Sequence, residues 1–136
     1  MKIWCCGCNK TIVARLTNGM EVYPNIFILR DVNIWKCDTC GNYVGCHQKG
    51  DSTKPMGSIP TPGIRKERMV IHNMIDPVWK NNLMSRSEIY TKISNVLGYK
   101  YHTANIKSIE EANTVKSIIK SIIAEVVHNE GIHNYK

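Results

Sequence analysis

No stretch of the 136 residues is apolar for long enough to span a membrane. The chain opens Met1-Lys2-Ile3-Trp4 and then runs into cysteines, so the apolar core of a secretory signal is not expected. Also missing are a phosphate-binding glycine-rich loop, a nucleophile elbow and a His-Glu-x-x-His helix. No helix-turn-helix pattern stands out. The βαβ pattern that a thioredoxin-like redox motif needs is absent too. Acidic residues are scarce, 11 Asp and Glu against 18 Lys and Arg, for a formal charge of +7. These absences remove a membrane span and several common chemistries, and leave metal binding, phosphate contact and protein docking in view.

Cysteine is the exception to this plainness. Cys5 and Cys8 form one Cys-x-x-Cys pair, and Cys37 and Cys40 form another. Two pairs at this spacing fit a tetrahedral Cys₄ zinc site, each pair on a tight knuckle. Glycine in or just after each pair, at Gly7 and Gly41, suits a chain that must turn sharply enough for two sulfurs to reach one ion. Without a secretory signal, paired Cys-x-x-Cys motifs point to metal rather than to disulfides. An iron–sulfur cluster takes four thiolates as well and stays open at this point. Cys6 sits inside the first knuckle and could replace a neighbouring ligand. Cys46 precedes His47 directly and reads either as a small buried thiol beside a structural histidine or as part of a polar site.

Length allows one domain with a small metal-stapled lobe. An apolar content of 43% is ordinary for a globular chain. The expected layout is α+β: an N-terminal zinc β-ribbon of short antiparallel strands over residues 1–50, a linker over 51–63, and a bundle of three or four helices over 64–136. The ribbon is expected to pack on the bundle as one compact unit, because so short a lobe holds little core of its own. Four zinc-bound thiolates would add −4 and the ion +2, which brings the effective charge to about +5. That is basic enough to permit phosphate contact without demanding it.

Along the chain, Asn18-Gly19 between β-prone runs predicts a hairpin joining residues 11–16 to 20–23. Residues 26–30 and 32–35 predict two further strands leading into the second knuckle, and 43–45 lead out of it. Residues 48–63 are rich in Gly, Pro, Ser and Thr and read as loop. Thr61-Pro62 signals the start of a helix over 64–75, with Arg65, Arg68 and His72 on one side. Asp76-Pro77 predicts its stop, Asp76 capping a following turn. Ser85 and Glu88 match a capping box, ahead of a stripe of Ile89, Tyr90, Ile93, Val96 and Leu97, with Gly98 ending the helix. Ser108 and Glu111 form a second box. The long helix it opens should bury Ile109, Ala112, Val115, Ile119, Ile122, Ile123 and Val126, with Ile118 and Val127 widening the stripe.

Several of these residues form an ordered combination: Tyr43 through Cys46 and His47, Pro55 to Gly57, Arg65, Arg68 and His72, Asp76 through Trp79 and Lys80, and Met84 through Arg86 to Tyr90. In this the chain, from Cys5 to about His102, closely resembles a "zinc-finger-containing domain" family found mostly in phages, prophages and bacteria. The resemblance implies a zinc ribbon followed by helices, with Zn²⁺ on Cys5, Cys8, Cys37 and Cys40. It departs at Ile59-Pro60-Thr61-Pro62, where the pattern usually carries leucine and alanine, and in a longer last helix.

Function is read as binding, and the reading leans away from an enzyme. The first reading is contact with nucleic acid or a nucleic-acid-processing machine of the host, in the cytoplasm (the host's, if the gene is phage-borne), with no membrane partner. Arg65, Lys66, Arg68 and Arg86 are the candidate phosphate contacts; Arg15, Arg30 and Lys36 are further cations on the ribbon, and Trp4, Trp35 and Tyr43 either stack bases or pack the core. The alternative is a protein modulator of a host or defence complex, docking through the last helix near Lys116 and Lys120. The third is a small phosphodiester- or nucleotide-acting enzyme, with Cys46, His47, His72, Asp76 and His102 as its polar cluster and Arg65 and Arg68 stabilising negative charge.

Overall fold

The structure is a computed structural model that describes residues 1–49 and 52–134, with side chains described through residue 128. It divides into two compact units, Met1–Arg65 and Lys66–Lys136. The fold is α+β, with strands in the first unit and long helices in the second.

In the first unit, β1 (Lys2–Cys5) and β2 (Lys10–Val13) form an antiparallel hairpin closed by the first knuckle, with Ile3 opposite Ile12 and Cys5 opposite Lys10. The chain then crosses between sheets at Ala14, which is buried and donates its N–H to the Met1 carbonyl at 2.8 Å. Strands β3 (Arg15–Asn18), β4 (Asn33–Lys36) and β5 (Tyr43–Gly45) make a second antiparallel sheet in that order. The β4–β5 connection is the second knuckle. The single strand expected over 11–16 is therefore two strands in two sheets.

The expected Asn18-Gly19 hairpin is replaced by a single helical turn, α1 (Gly19–Val22), capped by Asn18, whose Oδ1 accepts from the Glu21 N–H at 3.3 Å. Glycine is needed here for close approach: a Cβ on Gly19 would lie 1.7 Å from the Leu29 carbonyl oxygen. The Gly19 and Met20 N–H groups donate to Val32 and Arg30 carbonyls, closing the excursion at its base. Residues 27–29 form a 3₁₀ turn rather than the expected strand, and Phe27 and Ile28 point outward, 76% and 85% exposed.

The core of this unit gathers Ile3, Cys5, Ala14, Trp35, Cys37, Val44, Cys46 and Ile59. Ile59 comes from the loop-like stretch and is fully buried. Its N–H donates to the Trp4 carbonyl and its carbonyl accepts from Cys6, both at 2.8 Å, so it runs parallel beside β1. Pro55 pairs antiparallel with Cys46, and Trp35 donates its indole N–H to the Thr53 carbonyl at 2.7 Å. These bonds satisfy backbone groups that a free spacer would leave to water.

Helix α2 (Pro62–Lys80) starts where Thr61 Oγ1 accepts from the Ile64 N–H at 3.2 Å. It does not stop at Asp76-Pro77 but runs through both to Lys80. Pro77 removes one bond, the one to the carbonyl of exposed Asn73. Burial of Ile75 and Val78 on either side of it offsets that loss. Asp76 is thus no cap; its Oδ1 accepts from the Trp79 indole at 3.1 Å.

Helix α3 (Arg86–Leu97) is capped as expected: Ser85 Oγ accepts from the Glu88 N–H at 3.1 Å, and Gly98 closes the helix at φ 81°. Ile89 and Ile93 are buried, but Val96 faces outward, 67% exposed. A 3₁₀ turn at Thr103–Asn105 leads to α4 (Ile109–Asn134), capped by Ser108 Oγ. Ala112, Val115, Ile119 and Ile122 are buried on one stripe, whereas Ile109 and Val127, at its margins, are exposed. Glu111 caps differently from a reciprocal box, since its carboxylate accepts from the Lys107 N–H at 2.8 Å and from the Tyr99 hydroxyl at 2.6 Å. No described helix is long and apolar enough to cross a membrane.

Candidate functional site

The two knuckles bring Cys5, Cys8, Cys37 and Cys40 together. Their four sulfurs all lie within 4.8 Å of one another. Cys5 Sγ is 3.4 Å from Cys40 Sγ, and Cys8 Sγ is 3.7 Å from Cys37 Sγ. Sulfurs about 2.3 Å from one tetrahedral ion sit about 3.8 Å apart, so a single metal fits between them. Asn9 at φ 55° and Gly41 at φ 80° supply the left-handed turns that close the knuckles. Gly7 is packed against the opposite knuckle: a Cβ there would lie 2.5 Å from Asn42 Nδ2 and 3.1 Å from Cys40 Sγ. Asn42 Nδ2 donates to Cys40 Sγ at 3.2 Å, a contact that would orient this sulfur toward a metal from outside its coordination shell.

Electrostatics agree with a site built for a cation. Burial pushes the Cys5 thiol up to about 12, and the proton shared with Cys37 raises Cys8. Cys37 is brought down to about 7; burial opposes this, and the amide N–H groups of Cys40 and Thr39 outweigh it. The knuckle amides thus favour a thiolate at Cys37, while four sulfurs this close ionise together only around a positive charge.

The other two cysteines lie outside the cluster. Cys6 Sγ turns toward Ser58 Oγ at 3.9 Å. Cys46 is buried in the ribbon core, and burial raises its thiol. No disulfide joins any of the six cysteines.

Charged residues of the ribbon serve the knuckles. Arg15 forks between Glu21 and Asp38, with bonds of 2.8–2.9 Å to both, and Lys36 reaches Glu21 at 2.9 Å. Arg15 foremost, then Lys36 and Thr17, holds the Glu21 carboxyl well below the usual carboxylate range. Arg30 pairs with Asp31 and lies over the Phe27 ring at 3.9 Å. Trp4 is half-buried and Trp35 is buried, both in the ribbon unit.

The expected phosphate contacts divide. Arg65 lies over the Tyr43 ring at 4.1 Å and donates to the Tyr43 carbonyl. Arg68 is buried, donating from Nε and Nη2 to the Ile106 carbonyl at 3.2 and 2.6 Å. Lys66 and Arg86 are exposed. Lys116, expected on a docking face, pairs instead with Glu67 at 2.6 Å, while Lys120 is exposed.

Of the expected polar cluster, Cys46 and exposed His47 belong to the first unit, and His72, Asp76 and His102 to the second. Within the second unit His72 senses both Asp76 and Arg86. Burial lowers its pKa below 6.5 and Arg86 adds to this, while Asp76 acts against it. The Arg86 guanidinium sits 5.9 Å from the Trp79 ring centre and 5.7 Å from that of Tyr90. Tyr90 meets His102 edge-on at 6.0 Å. The helical stripe of α3 makes Tyr90 a core residue, and neither it nor Trp79 is among the expected site residues. The signal for both was their place in the Asp76–Trp79 and Arg86–Tyr90 motifs.

A small two-sheet ribbon whose knuckle tips offer four converging thiolates is the arrangement of a zinc-ribbon-type protein. The chain belongs to the family described as a zinc-finger-containing domain, whose family model matches residues 1–125. No curated protein and no solved structure matches it at a significant level.

Proposed function

We propose that the protein holds one structural Zn²⁺ on Cys5, Cys8, Cys37 and Cys40 and acts by binding nucleic acid or a nucleic-acid-processing machine. All-thiolate donors at tetrahedral spacing favour zinc over harder divalent ions. Bound there, zinc supplies rigidity rather than chemistry, because four protein ligands leave no open position. Free thiols at such a centre suit a reducing compartment, which supports action in the cytoplasm, the host's where the gene is phage-borne.

The observation that carries the nucleic-acid reading is a set of unmatched cations on the helical unit. Lys66, Lys80, Arg86, Lys92 and Lys100 are exposed, and none forms an ion pair among the described residues. Of the carboxylates of this unit, Glu67 pairs with Lys116, Glu88 and Glu111 bond to uncharged groups, and Glu110 and Glu125 are exposed, so cations are still in excess. Such a surface attracts phosphate and releases counterions on contact. Arg65 and Arg68 each donate to a backbone carbonyl, which weighs against the enzyme reading, since that reading needs them turned toward a reacting phosphate.

Binding of random-sequence DNA and RNA by fluorescence anisotropy across a salt series tests this. Affinity should fall steeply with salt, and Lys66→Ala or Arg86→Ala should each flatten the log–log slope by about 1. No binding at low salt would remove the reading. The second reading, a protein partner, draws on the outward Phe27-Ile28 turn, and stable capture of one host protein without nucleic-acid affinity would favour it.

A further inference from the structure

An open cleft of about 650 Å³ lies on the helical unit, bordered by Arg86, Ser87, Tyr90, Lys100, Tyr101 and His102. Its size is that of a small-ligand site. No acidic side chain lines it. Its inner polar groups are already engaged: Ser94 Oγ donates to the Tyr90 carbonyl at 2.7 Å and accepts from the Tyr101 N–H at 2.9 Å. The Tyr101 hydroxyl is bonded to Thr103 Oγ1 at 2.7 Å. The inner wall at Ser94 and Tyr101 is therefore fixed, while Ser87, Thr91 and His102 of the lining make no side-chain hydrogen bond among the described residues.

The groups that suit a nucleotide are of two kinds. Arg86 and Lys100 are exposed cations with no carboxylate partner among the described residues. Arg86 lies at the outer edge of cation–π reach of the Trp79 and Tyr90 rings, which places its guanidinium on the Tyr90 side of the cleft. Tyr90 is the aromatic surface, held in place by edge-on contacts to Tyr101 at 5.6 Å and to His102. A fork-shaped cation, a second cation and a fixed ring along one cleft match a phosphate joined to a flat base.

We infer that this cleft binds a nucleoside phosphate unit, with the phosphate on Arg86 and Lys100 and the base against Tyr90. A base paired in a duplex is stacked between its neighbours and does not reach such a ring, so the ligand is either a free nucleotide or an unpaired nucleotide of a single strand. The strand-borne source deepens the nucleic-acid reading and rests on it; the free nucleotide does not.

The test is an amide NMR titration of the full, zinc-loaded chain with AMP and, separately, with a short single-stranded oligothymidylate. Either ligand should move resonances within residues 86–102, and Arg86→Ala and Lys100→Ala should each weaken binding about tenfold. Tyr90→Leu should weaken it by a similar factor, about tenfold, with unchanged circular dichroism. Should that variant lose its fold, the two surface variants decide the matter. AMP moving these resonances assigns a free-nucleotide site, whether or not polynucleotide binds. Oligothymidylate alone moving them assigns a strand-borne one. If neither ligand shifts these residues, or both surface variants bind as the parent does, the cleft assignment is wrong, and the nucleic-acid reading stands where oligothymidylate still binds elsewhere. No binding of either ligand overturns it.

Discussion

Arg68 and Arg86 look alike in the sequence, yet one is a structural group and the other faces water. Arg68 closes on the Ile106 carbonyl inside the helical unit, so Arg68→Ala leaves that acceptor buried without its donor. We expect a loss of about 2 kcal/mol in urea unfolding of the zinc-loaded protein, against less than about 0.5 kcal/mol for exposed Arg86→Ala. Equal, small effects would contradict this division. His72 offers a second test at this scale. Its pKa is lowered in the fold, so the stability it contributes is complete above its unfolded value, near 6.5, and is lost as pH falls through the lower folded value. An imidazole NMR titration should place its midpoint below 6.5, moved up by Arg86→Ala and further down by Asp76→Asn. A midpoint at 6.5 would show the ring to be solvated, and one above 6.5 would show Asp76 to outweigh burial and Arg86; either contradicts the lowered value.

At the scale of elements, the parts legible in the sequence are those in which local chemistry decides. The Cys-x-x-Cys spacing gave the knuckles, and Ser85 with Glu88 gave the start of α3. Ser85→Ala should cost about 1 kcal/mol in urea unfolding, and no change would mean that packing alone sets that helix start. Where tertiary contacts decide, local signals misled. Asn18-Gly19 has the chemistry of a tight hairpin, but the Leu29 carbonyl against Gly19 selects a helical turn. Asp76-Pro77 has the chemistry of a stop, but Ile75 and Val78 carry the helix onward. Composition hid Ile59 in the same way: a stretch rich in Pro, Gly and Ser reads as spacer, yet Ile59 hydrogen-bonds beside β1 and is buried in the ribbon core. Ile59→Ala should therefore destabilise the ribbon by about 3 kcal/mol in urea unfolding, and a cost below about 0.5 kcal/mol would return the segment to a spacer.

For the molecule as a whole, the metal matters more to one unit than to the other. The ribbon core is small, two of its members, Cys5 and Cys37, belong to the four-cysteine cluster, and its knuckles close on sulfur. Lobes of this size need a staple, and metal binding then supplies folding free energy. The helical unit gathers buried Ile71, Ile75, Ile89, Ile93, Ile106, Val115 and Ile119 with no cysteine. Chelation should abolish the dispersed β-strand amide resonances of residues 2–45 while the helical circular dichroism persists. The four-sulfur centre is tested most directly by zinc analysis combined with X-ray absorption at the zinc edge on the purified chain. The account predicts one zinc per chain with four sulfurs at about 2.3 Å and no nitrogen or oxygen ligand, lost on Cys37→Ser. Protein free of metal, an iron–sulfur cluster, or a shell with fewer than four sulfurs would contradict it.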